Sequence, residues 1–322
     1  MSCFQGFPGI NVIKTVKINI KERKEVPILE YRTDLAVESR QQITDGTGGA
    51  EPDGIVTQHS SYYGGVDVTC IDITNEKGAA LMNKPCGRYV TIEADGIIDG
   101  NDDMKPYLEH ALAEELGRMV KFHSRLRVLV AGLGNRMVTP DSLGPLTVSK
   151  IKATRHLFIM FEADSDDEMS CVSCIEPGVT GVTGMETADI VRKASELVQP
   201  DVIIVVDSLA ARNIGRMSTT IQITDTGISP GGGMGNKRTG INSGTTGAKV
   251  IAIGVPTVID ASTIILDAVG GADGYDEKTV SRIRESDSQM IVTSTDIDMI
   301  IKEFSDIIAG GINKTLHPGI YS

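Results

Sequence analysis

Two short apolar runs constrain this chain more than any other feature. Residues 126–131, LRVLVA, and 202–206, VIIVV, are too short for core helices and too aliphatic for strands with a wet face. Each therefore predicts a strand buried on both sides of a sheet. Gly132 and Gly134 stop the first run. Thr139-Pro140-Asp141 follows, and then apolar residues at helical spacing, Leu143, Leu146, Val148 and Ile151. Strand, tight turn and helix form the repeating unit of an α/β sheet. The second run starts after Asp201, ends at Asp207 and continues into Ser-Leu-Ala-Ala-Arg-Asn, which we read as a second unit of the same shape. Ligands of such sheets bind at the carboxyl ends of the parallel strands. That rule puts Asp141 and Asp207 at one crevice.

The rest of the chain arranges itself around this pair. Residues 66–73 and 87–94 alternate apolar and polar, as antiparallel strands with one solvated face do. Residues 101–123 predict an amphipathic helix, with Leu108, Ala111, Leu112, Leu116, Met119 and Val120 on one side. Residues 45–65 read as loop, 164–169 as an acidic solvated segment and 169–175 as a strand. A Gly/Thr loop at 176–184 opens a helix over 185–198. A strand at 219–224 precedes a long irregular stretch, 225–248, of the kind that serves as a lid or binding loop. A last apolar strand at 249–255, a helix over 260–269 and a polar tail with one helix near 297–309 complete the chain. The expectation is an α/β fold: a largely parallel sheet over about 126–270, helices on both faces, and a smaller antiparallel set over about 66–94.

Charge and cysteine content limit the function classes. The formal net charge of −12 argues against direct binding of a nucleic-acid backbone. The five cysteines, Cys3, Cys70, Cys86, Cys171 and Cys174, are odd in number in a 322-residue chain, so no disulfide framework is implied. Cys171 and Cys174 share a metal or redox spacing, but no second such pair accompanies them, and on a strand they would face opposite ways. No apolar run is long enough to span a bilayer, and the N-terminus lacks a signal-peptide layout, so a cytoplasmic protein without membrane contact is expected.

Several partial motifs fail on their context. Gly132-Leu-Gly134-Asn-Arg-Met137 starts like a dinucleotide fingerprint but places Met137 where a small residue is needed. Gly227-Ile-Ser229-Pro-Gly231 fits a nucleophile elbow in letters alone, because Pro230 and further glycines preclude the helix that must follow. Asp225-Thr226-Gly227 occurs once, in an α/β context, and reads as a turn. The five histidines do not pair at ligand spacing. No cofactor and no metal are expected. Two readings of Asp141 and Asp207 stay open. They either cap the helices that follow their strands, or form a dyad in which one carboxyl holds a proton while the other acts as base on water.

The blocks GLGNRMVTPDSLGP, EPGVTGVTGMETADIV, VVDSLAARNIGRMSTTIQITDTGISPGGGMGNKR and AIGVPTVIDAST closely resemble the germination proteases of spore-forming bacteria, and YRTDLAVE at 31–38 resembles their processing region. The resemblance runs from about Tyr31 to the Leu316-His-Pro tail. It implies an atypical aspartic endopeptidase with a fold similar to hydrogenase maturation proteases, working as a homotetramer in the forespore and spore core. The implied substrates are the small acid-soluble proteins that coat spore DNA. It assigns the catalytic aspartates to Asp141 and Asp207 rather than Asp225. It further implies a self-processing zymogen. Thr33-Asp34-Leu35-Ala36-Val37-Glu38 mimics the substrate pattern, giving a cut between Asp34 and Leu35, a prosegment of residues 1–34 and a peptidase domain of residues 35–322. Backbone amides at Gly178, Gly181, Gly184, Gly227 and Gly231 are candidates for holding the substrate peptide and its developing oxyanion. Self-processing is expected to quicken as the pH falls toward mildly acid values. The alternatives are a metal-assisted peptidase of the hydrogenase-maturation type, in which the two acids hold a metal, and a catalytically silent binder of spore proteins.

Overall fold

Apolar residues that alternate or run unbroken become strands here, and apolar residues spaced by three and four become helices. The computed structural model describes residues 33–48, 51–95, 102–161, 167–231, 238–269 and 290–321. Of the expected prosegment, 1–34, only Thr33 and Asp34 fall within them. The chain forms helix α1 (Ala36–Thr47), strands β1 (Ile55–Tyr62) and β2 (Val66–Ile73), helix α2 (Glu76–Met82), strand β3 (Gly87–Glu93) and helix α3 (Lys105–Met119). Next come β4 (Arg127–Gly132), α4 (Leu143–Val148), α5 (Arg155–Phe161), β5 (Cys171–Ile175), α6 (Thr180–Thr183), α7 (Thr187–Val198), β6 (Val202–Ala211) and β7 (Thr220–Thr224). The last elements are α8 (Ser243–Thr246), β8 (Lys249–Asp260), α9 (Ala261–Val269), β9 (Ile291–Val292) and α10 (Ile297–Leu316).

Among the described residues all strands join one nine-stranded sheet in the order β1-β2-β3-β7-β8-β6-β4-β5, with β9 on the far end of β8. Strands β8, β6, β4 and β5 are parallel, whereas β1, β2, β3 and β7 pair antiparallel and β7 joins β8 antiparallel. The antiparallel strands are thus the other half of the same sheet. Only a short 3-10 turn, Ile214–Arg216, separates β6 from β7. With no crossover helix between them, β7 must run back against the parallel set.

One face carries α3, α4 and α10 over a core that includes Val128, Val130, Ile204, Val206, Ile251 and Ile253. The other carries two separate apolar clusters. α7 covers Leu129, Ile203 and Val205, and the start of α1 covers Ile71, Tyr89 and Leu209. The expected α/β layering, helices on both faces of a sheet, is present.

Three expectations need correction. Residues 45–65 are not all loop, because β1 occupies part of them. Only Ile55 of β1 is buried, so the strand sits at the sheet edge and lacks the buried face that alternation detects. The tail after Gly270 is not a polar appendage with a short helix. α10 spans 20 residues, and Ile300, Ile301, Phe304, Ile307, Ile308, Ile312 and Leu316 fill the core. Finally, no helix follows Asp207. β6 continues through Leu209, Ala210 and Ala211, which pair with β8 across an irregularity at Leu209/Ala210. Burial of these residues between sheet neighbours overrides their helical propensity.

Candidate active site

Asp141 is set by backbone packing at the end of β4. Gly132 and Gly144 let β4 and α4 touch: a methyl group on Gly132 would lie 2.2 Å from the Gly144 carbonyl oxygen. Gly134 then turns the chain at φ +107°, and a Cβ there would fall 2.0 Å from the Asp141 carbonyl oxygen. No other residue accommodates both that dihedral and that approach. The Asn135 amide donates to the Asp141 carbonyl at 2.9 Å, the Asp141 amide donates to Val138 at 2.8 Å, and Thr257 of β8 donates its hydroxyl to the Pro140 carbonyl at 2.7 Å. The carboxylate is therefore presented from a turn fixed at several points.

Asp207 lies inside β6, not at its end. It pairs with Gly254 of β8, which pairs on its other side with Gln222 of β7. Asp207 and Gln222, each 5% exposed, thus share one row on one sheet face, with a glycine between them. Strands are spaced about 4.8 Å apart, and the space left by the missing side chain is taken by Leu209. A Cβ on Gly254 would meet the Leu209 side chain at 2.5 Å.

The two acids feel each other. Burial pushes the Asp141 carboxyl up from 3.8 to about 6, partly offset by the Asn135 amide and by the Arg238 guanidinium. Burial also raises Asp207 well above the ordinary carboxylate range. The neighbouring charges of Asp141 and Asp34 add to that rise, and the Ser208 amide and Arg238 oppose it. Such a pair titrates as a unit and holds one proton over a broad interval. A carboxyl beside a carboxylate can hold and activate a water, the chemistry of general acid and base acting together.

A third carboxylate reaches the same place. The Asp34 side chain accepts from the Ala210 amide at 2.8 Å, and the Asp34 amide donates to the Ala210 carbonyl at 3.0 Å. Leu35 and Ala36 are fully buried and Val37 nearly so, all within the apolar cluster that holds Leu209 and Ala211. Glu38, 2% exposed, accepts from the amides of Arg212 and Asn213, each at 2.8 Å, and from the Thr33 hydroxyl. The segment from Thr33 to Glu38 is thereby seated along the end of β6, three residues beyond Asp207.

Other candidates take different places. Asp225 accepts from the Arg88 amide at 2.8 Å and secures the end of β7 against β3. Gly178, Gly184, Gly227 and Gly231 are positive-φ turn positions, and Gly181 lies in the four-residue helix α6. Of these loops, 227–231 reaches the surroundings of the Asp34 segment, because Ile228 packs against the cluster that holds Leu35 and Leu209. Cys171 and Cys174 are free thiols on β5, raised by burial. Among the described residues no three His, Cys, Asp or Glu side chains converge as a metal-binding group, and no helix is long and apolar enough to cross a membrane. The sequence reading missed Lys84, Gln222 and Arg238. Only Gln222 left a trace, as a polar residue in the apolar alternation TTIQIT.

The family described as germination protease matches residues 30–272. A germination protease of Caldanaerobacter subterraneus subsp. tengcongensis is 38% identical, covering 91% of this chain and 96% of its own length. One from Clostridium perfringens (strain SM101) is 40% identical over 90% and 96%, and that of Bacillus subtilis is 41% identical over 77% and 69%. Among solved structures, the [NiFe] hydrogenase maturation protease HycI of Thermococcus kodakarensis overlaps 62% of this chain and 98% of its own, with a TM-score of 0.34 and 15% identity.

Proposed function

The chain belongs to the germination protease family and is a peptidase of spore germination, and from that premise we propose that it is a self-processing aspartic endopeptidase acting through Asp141 and Asp207. Its proposed substrates are the small acid-soluble, DNA-coating proteins of the spore, met in the forespore and spore core by a homotetramer. The prosegment ends at Asp34, and cleavage of the Asp34–Leu35 bond releases the mature enzyme.

The observation that carries this reading is the seating of Thr33–Glu38 on β6 with the Asp34 carboxyl close enough to raise Asp207. A chain segment with the expected substrate pattern lies beside the acid expected to cut it. In the proposed reaction one carboxyl of the pair takes a proton from water as the water oxygen attacks the Asp34 carbonyl carbon. The other protonates the Leu35 nitrogen as the C–N bond breaks. The glycine-rich loop 227–231, next to the surroundings of the Asp34 segment, is the better placed of the two loops considered for holding substrate backbone.

Intact mass and N-terminal sequencing of the purified full chain test this, with Asp141→Asn and Asp207→Asn beside it. A new N-terminus at Leu35 in the wild type only is the expected result. Cleavage that persists in either variant removes that aspartate from the mechanism. Cleavage abolished by a chelator favours the metal-assisted alternative, and a wild type that binds spore proteins without cutting them favours the silent binder.

A further inference from the structure

Lys84 and Gln222 converge on a single atom, the carbonyl oxygen of Asp34. Lys84 Nζ donates to it at 3.0 Å and Gln222 Nε2 at 2.9 Å. Lys84 Nζ also donates to the Thr33 carbonyl at 3.2 Å. The other end of the Gln222 amide, Oε1, accepts from the Ala36 amide at 2.7 Å. Gln222 thus brackets the Asp34–Leu35 bond, holding the carbonyl before it and the amide that follows Leu35. Lys84 is half-buried as a residue and carries its ammonium inward. Burial draws its pKa below the ordinary lysine value, while Asp34 and Glu38 pull the other way. Gln222 reaches the segment from the same sheet row as Asp207, with Gly254 between them in the row.

We propose that Lys84 and Gln222 are catalytic residues of self-processing, forming the donor pair that stabilises the oxyanion at the Asp34 carbonyl. The inference rests on cleavage at Asp34–Leu35. As the water oxygen bonds to the Asp34 carbonyl carbon, the C=O π electrons move to oxygen, where the ammonium and the side-chain amide meet the new charge. When the C–N bond breaks, those electrons return to re-form the carbonyl. The bonding pair leaves with the Leu35 nitrogen, which takes its proton from the aspartate pair. The products are a free Asp34 carboxyl and a Leu35 amine. Donors fixed before the reaction, in a site shielded from water, stabilise developing charge far more than they would in bulk solvent.

The test follows self-cleavage of the full chain in Lys84→Met and Gln222→Glu, the latter keeping the acceptor for Ala36 while losing the donor to Asp34. Loss of one such donor slows a reaction roughly 10²- to 10³-fold, and that slowing is the expected result. Hydrogen exchange of the Asp34 and Ala36 amides, with uncleaved Asp207→Asn as reference, reports whether the segment stays seated. Protection retained in a slowed Lys84→Met supports the assignment, as does recovery of cleavage when Lys84→Cys is aminoethylated to restore an ammonium, with the identically treated wild type as control. Cleavage by both variants within about threefold of wild type would overturn it. Loss of amide protection in step with loss of cleavage would also overturn it, reducing both residues to docking contacts. A wild type that never cuts at Asp34–Leu35 sinks the processing reading and this inference together, an outcome readily told from the other two.

Discussion

Asp34 and Ala210 are joined at two points: the Asp34 amide donates to the Ala210 carbonyl at 3.0 Å, and the Asp34 carboxylate accepts from the Ala210 amide at 2.8 Å. Because Ala210 lies three residues past Asp207 on one strand, this contact fixes the distance along the chain between the Thr33–Glu38 segment and the buried acid. The pairing of β6 with β8 shifts register at the same place: Leu209 faces Pro256 and Ala210 faces Val258, so Thr257 of β8 is the extra residue.

The aspartate pair should trade stability for activity. Asp141 is raised from 3.8 to about 6. A carboxyl raised on folding contributes most below its unfolded pKa, and that contribution is lost as the pH climbs through the folded value. At neutral pH the cost is on the order of 3 kcal/mol. Asp141→Asn should therefore abolish self-cleavage while raising the urea midpoint at pH 7, with no gain at pH 3.5. Equal midpoints at pH 7 would show that the burial of this acid carries no cost.

The pH profile of self-cleavage should be a bell. Below about 6 the Asp141 carboxyl takes up a proton and the pair loses its base. The alkaline limb is set by Asp207, which burial and Asp141 hold well above the ordinary range. Cleavage should thus fall as the pH drops through about 6, and pH 5 should be slower than pH 6. Burial lifts both carboxyls rather than one, which gives the profile an acid limb as well as an alkaline one. Single-turnover rates at each pH decide it, and a rate still rising at pH 5 would contradict it.

Gly134→Ala tests how firmly the turn presents Asp141. The new methyl would need φ +107° and would lie 2.0 Å from the Asp141 carbonyl oxygen. The turn must shift, so self-cleavage should fall at least tenfold while far-ultraviolet circular dichroism stays native. Strain of this kind costs roughly 1–3 kcal/mol, readable as a lower urea midpoint.

Leu35→Ala tests the seating of the segment. Leu35 is fully buried in the cluster with Leu209 and Tyr89, and truncating such a leucine costs roughly 2–5 kcal/mol. Self-cleavage should slow, and exchange of the Ala36 amide should quicken. Unchanged exchange would mean that Glu38 and Gln222 hold the segment without help from Leu35.

By itself the sequence determined the layers of this protein and singled out two acids, Asp141 and Asp207. Unbroken aliphatic runs have to be buried on both faces, so VIIVV and LRVLVA could only be inner strands, and the glycines after the first left Asp141 at a strand end. The resemblance of the surrounding blocks pointed to the same residues. What it did not determine was everything that depends on long-range pairing. The polar edge strand β1 has no buried face to generate a pattern. Whether β6 stops at Asp207 or runs on depends on β8, a neighbour distant in sequence. Lys84 and Gln222 belong to elements remote from Asp34, and no local spacing connects them. Only the tertiary structure brings them to one carbonyl, because strand order places β7 beside β8 and β8 beside β6, and the Thr33–Glu38 segment docks along the end of β6.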